Sequence, residues 1–83
     1  MKLSIYSIKE TLFQGEVEKV TIPTSQGEIT VLDHHIPLIT TVLPGSIRYY
    51  TPRQFENGWQ SISFPGGIAE VRPGSEVVIL TKE

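Results

Sequence analysis

Gly67-Ile68-Ala69-Glu70-Val71-Arg72-Pro73-Gly74-Ser75-Glu76-Val77-Val78-Ile79-Leu80-Thr81 is the stretch that decides the fold. Its halves, Gly67–Arg72 and Glu76–Thr81, are strand-like runs, and Pro73-Gly74 between them is a turn former. Working outward, Lys2–Ile8, Glu16–Ile22, Glu28–Leu32, Ser46–Thr51 and Trp59–Phe64 read the same way. Gln14-Gly15, Gln26-Gly27, Pro44-Gly45, Asn57-Gly58 and Pro65-Gly66-Gly67 punctuate them. Asn57-Gly58 is the strongest hairpin signal, because both residues tolerate the positive φ of a type I′ turn. Val, Ile and Thr make up 25 of the 83 residues and Ala69 is the only alanine, so stiff β-branched chains dominate and the best helix former is nearly absent. Seven short, closely spaced strands predict an all-β fold, a small two-sheet sandwich or flattened barrel.

At 83 residues the chain has room for one domain, read here as residues 1–83. A domain this small buries a little over roughly 60% of the surface its unfolded chain exposes, so association with a partner is expected. There is no cysteine, which removes disulfides and thiolate metal sites and leaves stability to the apolar core. A net charge of -2 is too balanced for the basic footprint of nucleic-acid binding. Val77-Val78-Ile79-Leu80, the longest apolar run, falls far short of the roughly 20 residues that span a bilayer, and no signal peptide precedes the strand-like pattern after Met1-Lys2.

Alternation predicts that Ile29 and Val31 face the core while Glu28 and Thr30 face away. Val77 to Leu80 breaks this rule by leaving apolar groups on both faces, so either the opposing sheet and an edge loop or another protein covers the second face. Ile36-Pro37-Leu38-Ile39-Thr40-Thr41-Val42-Leu43-Pro44-Gly45 is also apolar, but its proline excludes an ordinary central strand throughout. It reads as a core-filling connection between the sheets or, in part, as a docking surface.

Catalytic residues are sparse. Neither a Gly-x-x-x-x-Gly-Lys-Ser/Thr loop nor a Gly-x-Gly-x-x-Gly turn is present, so no nucleotide cofactor is expected. Asp33, His34 or His35 and a serine could be combined into a triad on paper, but no nucleophile elbow accompanies them. His34 and His35 are adjacent and so point apart in extended chain, which makes them a poor chelating pair. Glu16 and Glu18 read as same-face strand residues on a solvated edge rather than as an acid/base couple.

The ordered set Phe13-Gln14-Gly15-Glu16-Val17, Gln26-Gly27-Glu28-Ile29 with Val31-Leu32, His35-Ile36-Pro37-Leu38-Ile39-Thr40, Leu43-Pro44-Gly45 and Gly66-Gly67-Ile68-Ala69-Glu70-Val71 closely resembles the epsilon subunit of F-type ATP synthases. The resemblance implies a β-sandwich of about ten strands in the rotating central stalk, a structural coupler without catalytic residues or cofactor. Its implied partners are the gamma shaft and the ring of c subunits, with peripheral attachment through the complex to the cytoplasmic face of the bacterial inner membrane. By position, Gln26, Gly27 and Glu28 correspond to the ring contact, and Ser7, His35 and Thr40 to the shaft contact. Where the family usually has Pro-Gly-His-Ala-Pro, this chain has Asp33-His34-His35-Ile36-Pro37, and replacing the glycine by His34 predicts a rebuilt turn. Many family members continue into two regulatory helices. The sequence as given stops at Glu83, so the expectation for it is constitutive coupling without nucleotide binding, and the competing expectation is a natural chain that runs on. The rival from another class is an independent sandwich module that captures a peptide or carbohydrate.

Overall fold

The computed structural model describes residues 1–51 and 58–81. Among the described residues there are nine strands and no helix: β1 (Lys2–Tyr6), β2 (Thr11–Glu16), β3 (Lys19–Thr24), β4 (Gly27–Leu32), β5 (Leu38–Val42), β6 (Gly45–Tyr50), β7 (Trp59–Phe64), β8 (Gly67–Arg72) and β9 (Glu76–Thr81). They form a five-stranded sheet, ordered β2-β1-β9-β8-β5, and a four-stranded sheet, ordered β4-β3-β6-β7. All pairings are antiparallel except β1 with β9, which run parallel. The sandwich expected from the strand pattern is therefore the fold.

Residues 67–81 form the β8–β9 hairpin, with Ala69 opposite Ile79 and Val71 opposite Val77. Period-two alternation turns these four side chains inward, where they join Leu3, Ile5, Val20, Ile22, Val31, Ile47 and Phe64 in one buried cluster. Each Val, Leu, Ile or Phe among them contributes about 1.5–3 kcal/mol of burial, which offsets the entropy of ordering a chain this short.

Two strands were not read from the sequence. Gln14-Gly15 lies inside β2 rather than in a turn, with Gly15 opposite Leu3. The Phe13 ring occupies the space a side chain at Gly15 would need, reaching 3.3 Å from where a Cβ would stand. Leu38–Val42 is β5, an edge strand beginning just after Pro37, which fits a residue that cannot donate to a ladder. The run Glu16–Ile22 is broken as well: Glu16 closes β2, and β3 starts at Lys19. Glu16 thus ends β2 while Glu18 lies in the connection to β3, so the two do not share one strand face. Asn57 of the expected Asn57-Gly58 turn lies outside the described residues. β6 and β7 do pair antiparallel, with Tyr50 opposite Trp59 and the Thr51 N–H donating to the Gly58 carbonyl at 2.8 Å.

Loops join the layers at both ends of the sandwich. The Leu43 N–H donates to the Pro23 carbonyl at 2.9 Å, and the Glu18 N–H to the Tyr50 carbonyl at 2.7 Å. The Met1 ammonium lies 3.3 Å from Glu16 and 3.2 Å from Asp33. Desolvation alone would lower its pKa, but these carboxylates outweigh that and hold it above its ordinary value.

Candidate functional site

The β3–β4 hairpin turns through Ser25-Gln26. Thr24 closes it, its hydroxyl donating to the Gly27 carbonyl at 2.7 Å and accepting the Gln26 N–H at 3.2 Å. Gly27 takes φ +104°, a conformation open to glycine at no steric cost. Gln26 and Gly27 are exposed at the tip, and Glu28 starts the outward-facing row of β4. The Glu28 carboxylate is not a lone charge: Arg48 Nη2 donates to Glu28 Oε1 at 3.0 Å. Arg48 crosses Thr21 to reach it, since Arg48 stands opposite Thr21 in β3. Thr21 is buried beneath, its hydroxyl 2.9 Å from that of Thr30. At the far side of the same face the Arg48 guanidinium lies over the Trp59 ring, 5.9 Å from its centroid.

The outer face of the five-stranded sheet is arranged in rows set by the registers. Arg72, Glu76, Lys2 and Glu16 form a charged row at one end, with Arg72 3.1 Å from Glu70 and 4.0 Å from Glu76. Toward the other end stands an apolar row of Ile68, Leu80 and Tyr6, flanked by Ile39 and Val78 from the row between. Ile39 is 71% exposed, Ile68 52% and Leu80 48%. On the second apolar face of β9, Val78 is buried and Leu80 is left half-exposed, so the open part of that face lies toward its Leu80 end. Contiguous apolar groups rimmed by charge are the ordinary signature of a protein-binding surface.

The six residues carried over by position fall in four places. Ser7 follows Tyr6 at the corner of the apolar row, where its hydroxyl accepts the N–H groups of Lys9 at 3.3 Å and Glu10 at 3.1 Å and so closes the β1–β2 turn. Thr40 lies in β5 opposite Ala69, half-buried on the core side, whereas its neighbours Ile39 and Thr41 face outward. His35 precedes β5 at the opposite end of the sheet from Ser7. Its N–H donates to the Leu32 carbonyl at 3.2 Å, and its Nδ1 contacts the Ile36 carbonyl at 2.7 Å, which requires the hydrogen on Nδ1. Gln26, Gly27 and Glu28 stand together on the other sheet. The positional reading missed Arg48, Ile68 and Leu80; the broken alternation of Val77 to Leu80 already carried the signal for Leu80.

In the turn before β5 the left-handed position is taken by His34 itself. His34 adopts φ +64° and donates its N–H to the Ser75 hydroxyl at 3.3 Å, with Ser75 itself at φ +59°.

Among the described residues, two packed sheets, one with an apolar outer face and the other with a polar hairpin at its edge, define a small β-sandwich domain. The family profile described as ATP synthase, Delta/Epsilon chain, beta-sandwich domain matches residues 1–83, and the chain belongs to that family. Similar curated proteins are the ATP synthase epsilon chains of Herminiimonas arsenicoxydans, 37% identical over 95% of this chain and 55% of the relative, and of Bordetella petrii, 34% identical over 95% and 54%. The chain spans about half the length of these relatives. Among solved structures, a chain of the Euglena gracilis mitochondrial ATP synthase with its c-ring superposes with a TM-score of 0.81 at 29% identity, over 98% of this chain and 49% of that one. A chain of the Tetrahymena thermophila mitochondrial ATP synthase central stalk and c-ring gives a TM-score of 0.79 at 11% identity, covering 100% and 63%, a likeness of fold.

Proposed function

We propose that this chain is the β-sandwich part of a non-catalytic rotor subunit of an F-type ATP synthase, seated between the gamma shaft and the c-ring. In this reading it transmits torque generated by ion flow and needs no cofactor. It is attached to the cytoplasmic face of a bacterial inner membrane through the complex. The observation that carries the proposal is the apolar outer face of the five-stranded sheet, Ile39, Ile68, Leu80 and Tyr6, on a domain whose relatives are epsilon chains. That face supplies a shaft-binding surface, and the β3–β4 hairpin with Gln26, Gly27 and Glu28 supplies a separate one for the ring. Ser7 borders the first surface and Thr40 stands beside its Ile39, so both belong to the shaft assignment. His35 precedes β5 at the opposite end of the sheet and is assigned to the shaft by position alone.

Mechanically, a coupler must not shear between its two partners. Close packing of two sheets through one cluster of branched side chains gives stiffness without a helix. Purification of the assembled synthase through a tag on this chain tests the proposal. Gamma and c subunits should co-elute in fixed proportion, and their absence under conditions that preserve the rest of the complex would move the chain out of the rotor.

A further inference from the structure

Arg48 is the one cation on the outer face of the four-stranded sheet, among the described residues, that touches a carboxylate. Its side chain runs diagonally across β3, from the Trp59 ring on one edge strand to Glu28 on the other. Beneath it Thr21 is buried and hydrogen-bonded to Thr30, which leaves a flat polar floor. Nearby, the Lys19 ammonium stands over the Tyr50 and Trp59 rings at 5.1 and 5.3 Å from their centroids. Trp59 therefore has a cation on each of two approaches, and the guanidinium is restrained by an aromatic ring at one end and a carboxylate at the other.

We infer that Arg48 is the positioning residue of the ring contact: it holds the Glu28 carboxylate over the sheet, beside the hairpin tip, so that the partner meets an oriented ion pair instead of a freely rotating acid. The inference rests on the reading that the β3–β4 hairpin faces the c-ring. The physical reason is entropic. A free glutamate side chain must give up its rotamers on docking, whereas one already held by Arg48 has given them up in the free domain. An additional effect follows from charge. The pair presents almost no net charge, so docking should depend little on salt, unlike that of a bare carboxylate.

The test uses the full chain in the assembled complex with gamma and the c-ring, in three variants: Arg48→Gln, Glu28→Gln and the double substitution. Retention on purified c-ring and thermal unfolding of each chain are measured in parallel. Arg48→Gln is expected to weaken ring binding about two- to fivefold, to steepen its salt dependence and to leave unfolding nearly unchanged. The double variant should be no weaker than Glu28→Gln alone, since a positioner has nothing left to position. Losses that multiply in the double variant, or an Arg48→Gln chain that binds as the parent does, overturn the inference. A separate crosslink between a cysteine at Gln26 and one in the polar loop of a c subunit reports on the underlying reading. Without that crosslink both fall, whereas crosslinking with independent losses removes the role of Arg48 alone.

Discussion

His34 holds φ +64° without being a glycine, a conformation that costs an L-residue roughly 1–2 kcal/mol. Family resemblance identified this position as a glycine site, but the sequence could not tell whether the backbone would keep its left-handed residue or change. The backbone keeps it, because the His34 N–H reaches the Ser75 hydroxyl and the following His35 N–H closes the turn on Leu32. His34→Gly should therefore stabilise the domain by about 0.5–1 kcal/mol, the strain relieved less the added entropy of an unfolded glycine. Thermal unfolding of the two chains measures it. Tyr49 offers a second check at this scale. It is buried, its ring 4.2 Å from that of Phe13 by centroids, and burial pushes its phenol above the ordinary tyrosine value. The unfolded chain therefore releases this proton at lower pH than the native chain does. Stability contributed by the neutral phenol is intact below pH about 10 and is lost as pH rises from there through the raised native value. Tyr49→Phe should flatten that alkaline limb in urea unfolding measured between neutral pH and pH about 11.

At the scale of the element, the strands with plain alternation were legible and those with a misleading residue were not. Glu28 to Val31 alternates and forms most of β4 with Ile29 and Val31 inward, while the apolar Leu32 that ends it is exposed. β2 was hidden by Gln14-Gly15, because a glycine read as a turn signal is here the clearance for the Phe13 ring. β5 was hidden by Pro37, which bars a central strand and permits the edge strand that forms. The apolar outer face was half legible. Val77 to Leu80 announced a second apolar surface on the last strand, but its neighbours Ile39 and Ile68 become visible only once the order β9-β8-β5 is known. That geometry also decides where a charge tests the shaft contact. One at Thr40 would face Ala69 on the core side and disturb the fold, whereas one at Ile68 lies on the exposed face. Ile68→Glu should change unfolding free energy by no more than about 0.5 kcal/mol yet weaken gamma binding at least about tenfold, which corresponds to about 1.4 kcal/mol. Affinity for isolated gamma subunit and a denaturant melt, taken on the same preparation, separate the two effects.

For the whole molecule, size and charge were readable from the outset, and they already pointed to a domain that works in company. A sandwich of this length has little stability in reserve, since net folding free energies are only about 5–15 kcal/mol. Ile79 is fully buried between β1 and β8, so Ile79→Ala should cost about 2–5 kcal/mol and lower the denaturant midpoint by a large fraction of its value, with the slope unchanged. The pairing that ties the first strand to the last, β1 alongside β9, could not be read from local patterns because it joins the two ends of the sequence. The apolar outer face lies on one sheet and the β3–β4 hairpin on the other, the two surfaces that the proposal assigns to the shaft and to the ring. The central claim is that both surfaces are engaged at once. It is tested most directly by one crosslinking measurement on the assembled synthase, with cysteines at Ile68 and Gln26 of the same chain and one each in gamma and in the c polar loop. A ternary product containing this chain, gamma and c is the expected result; a chain that yields at most one of the two adducts, in a complex shown to be intact, would contradict the account.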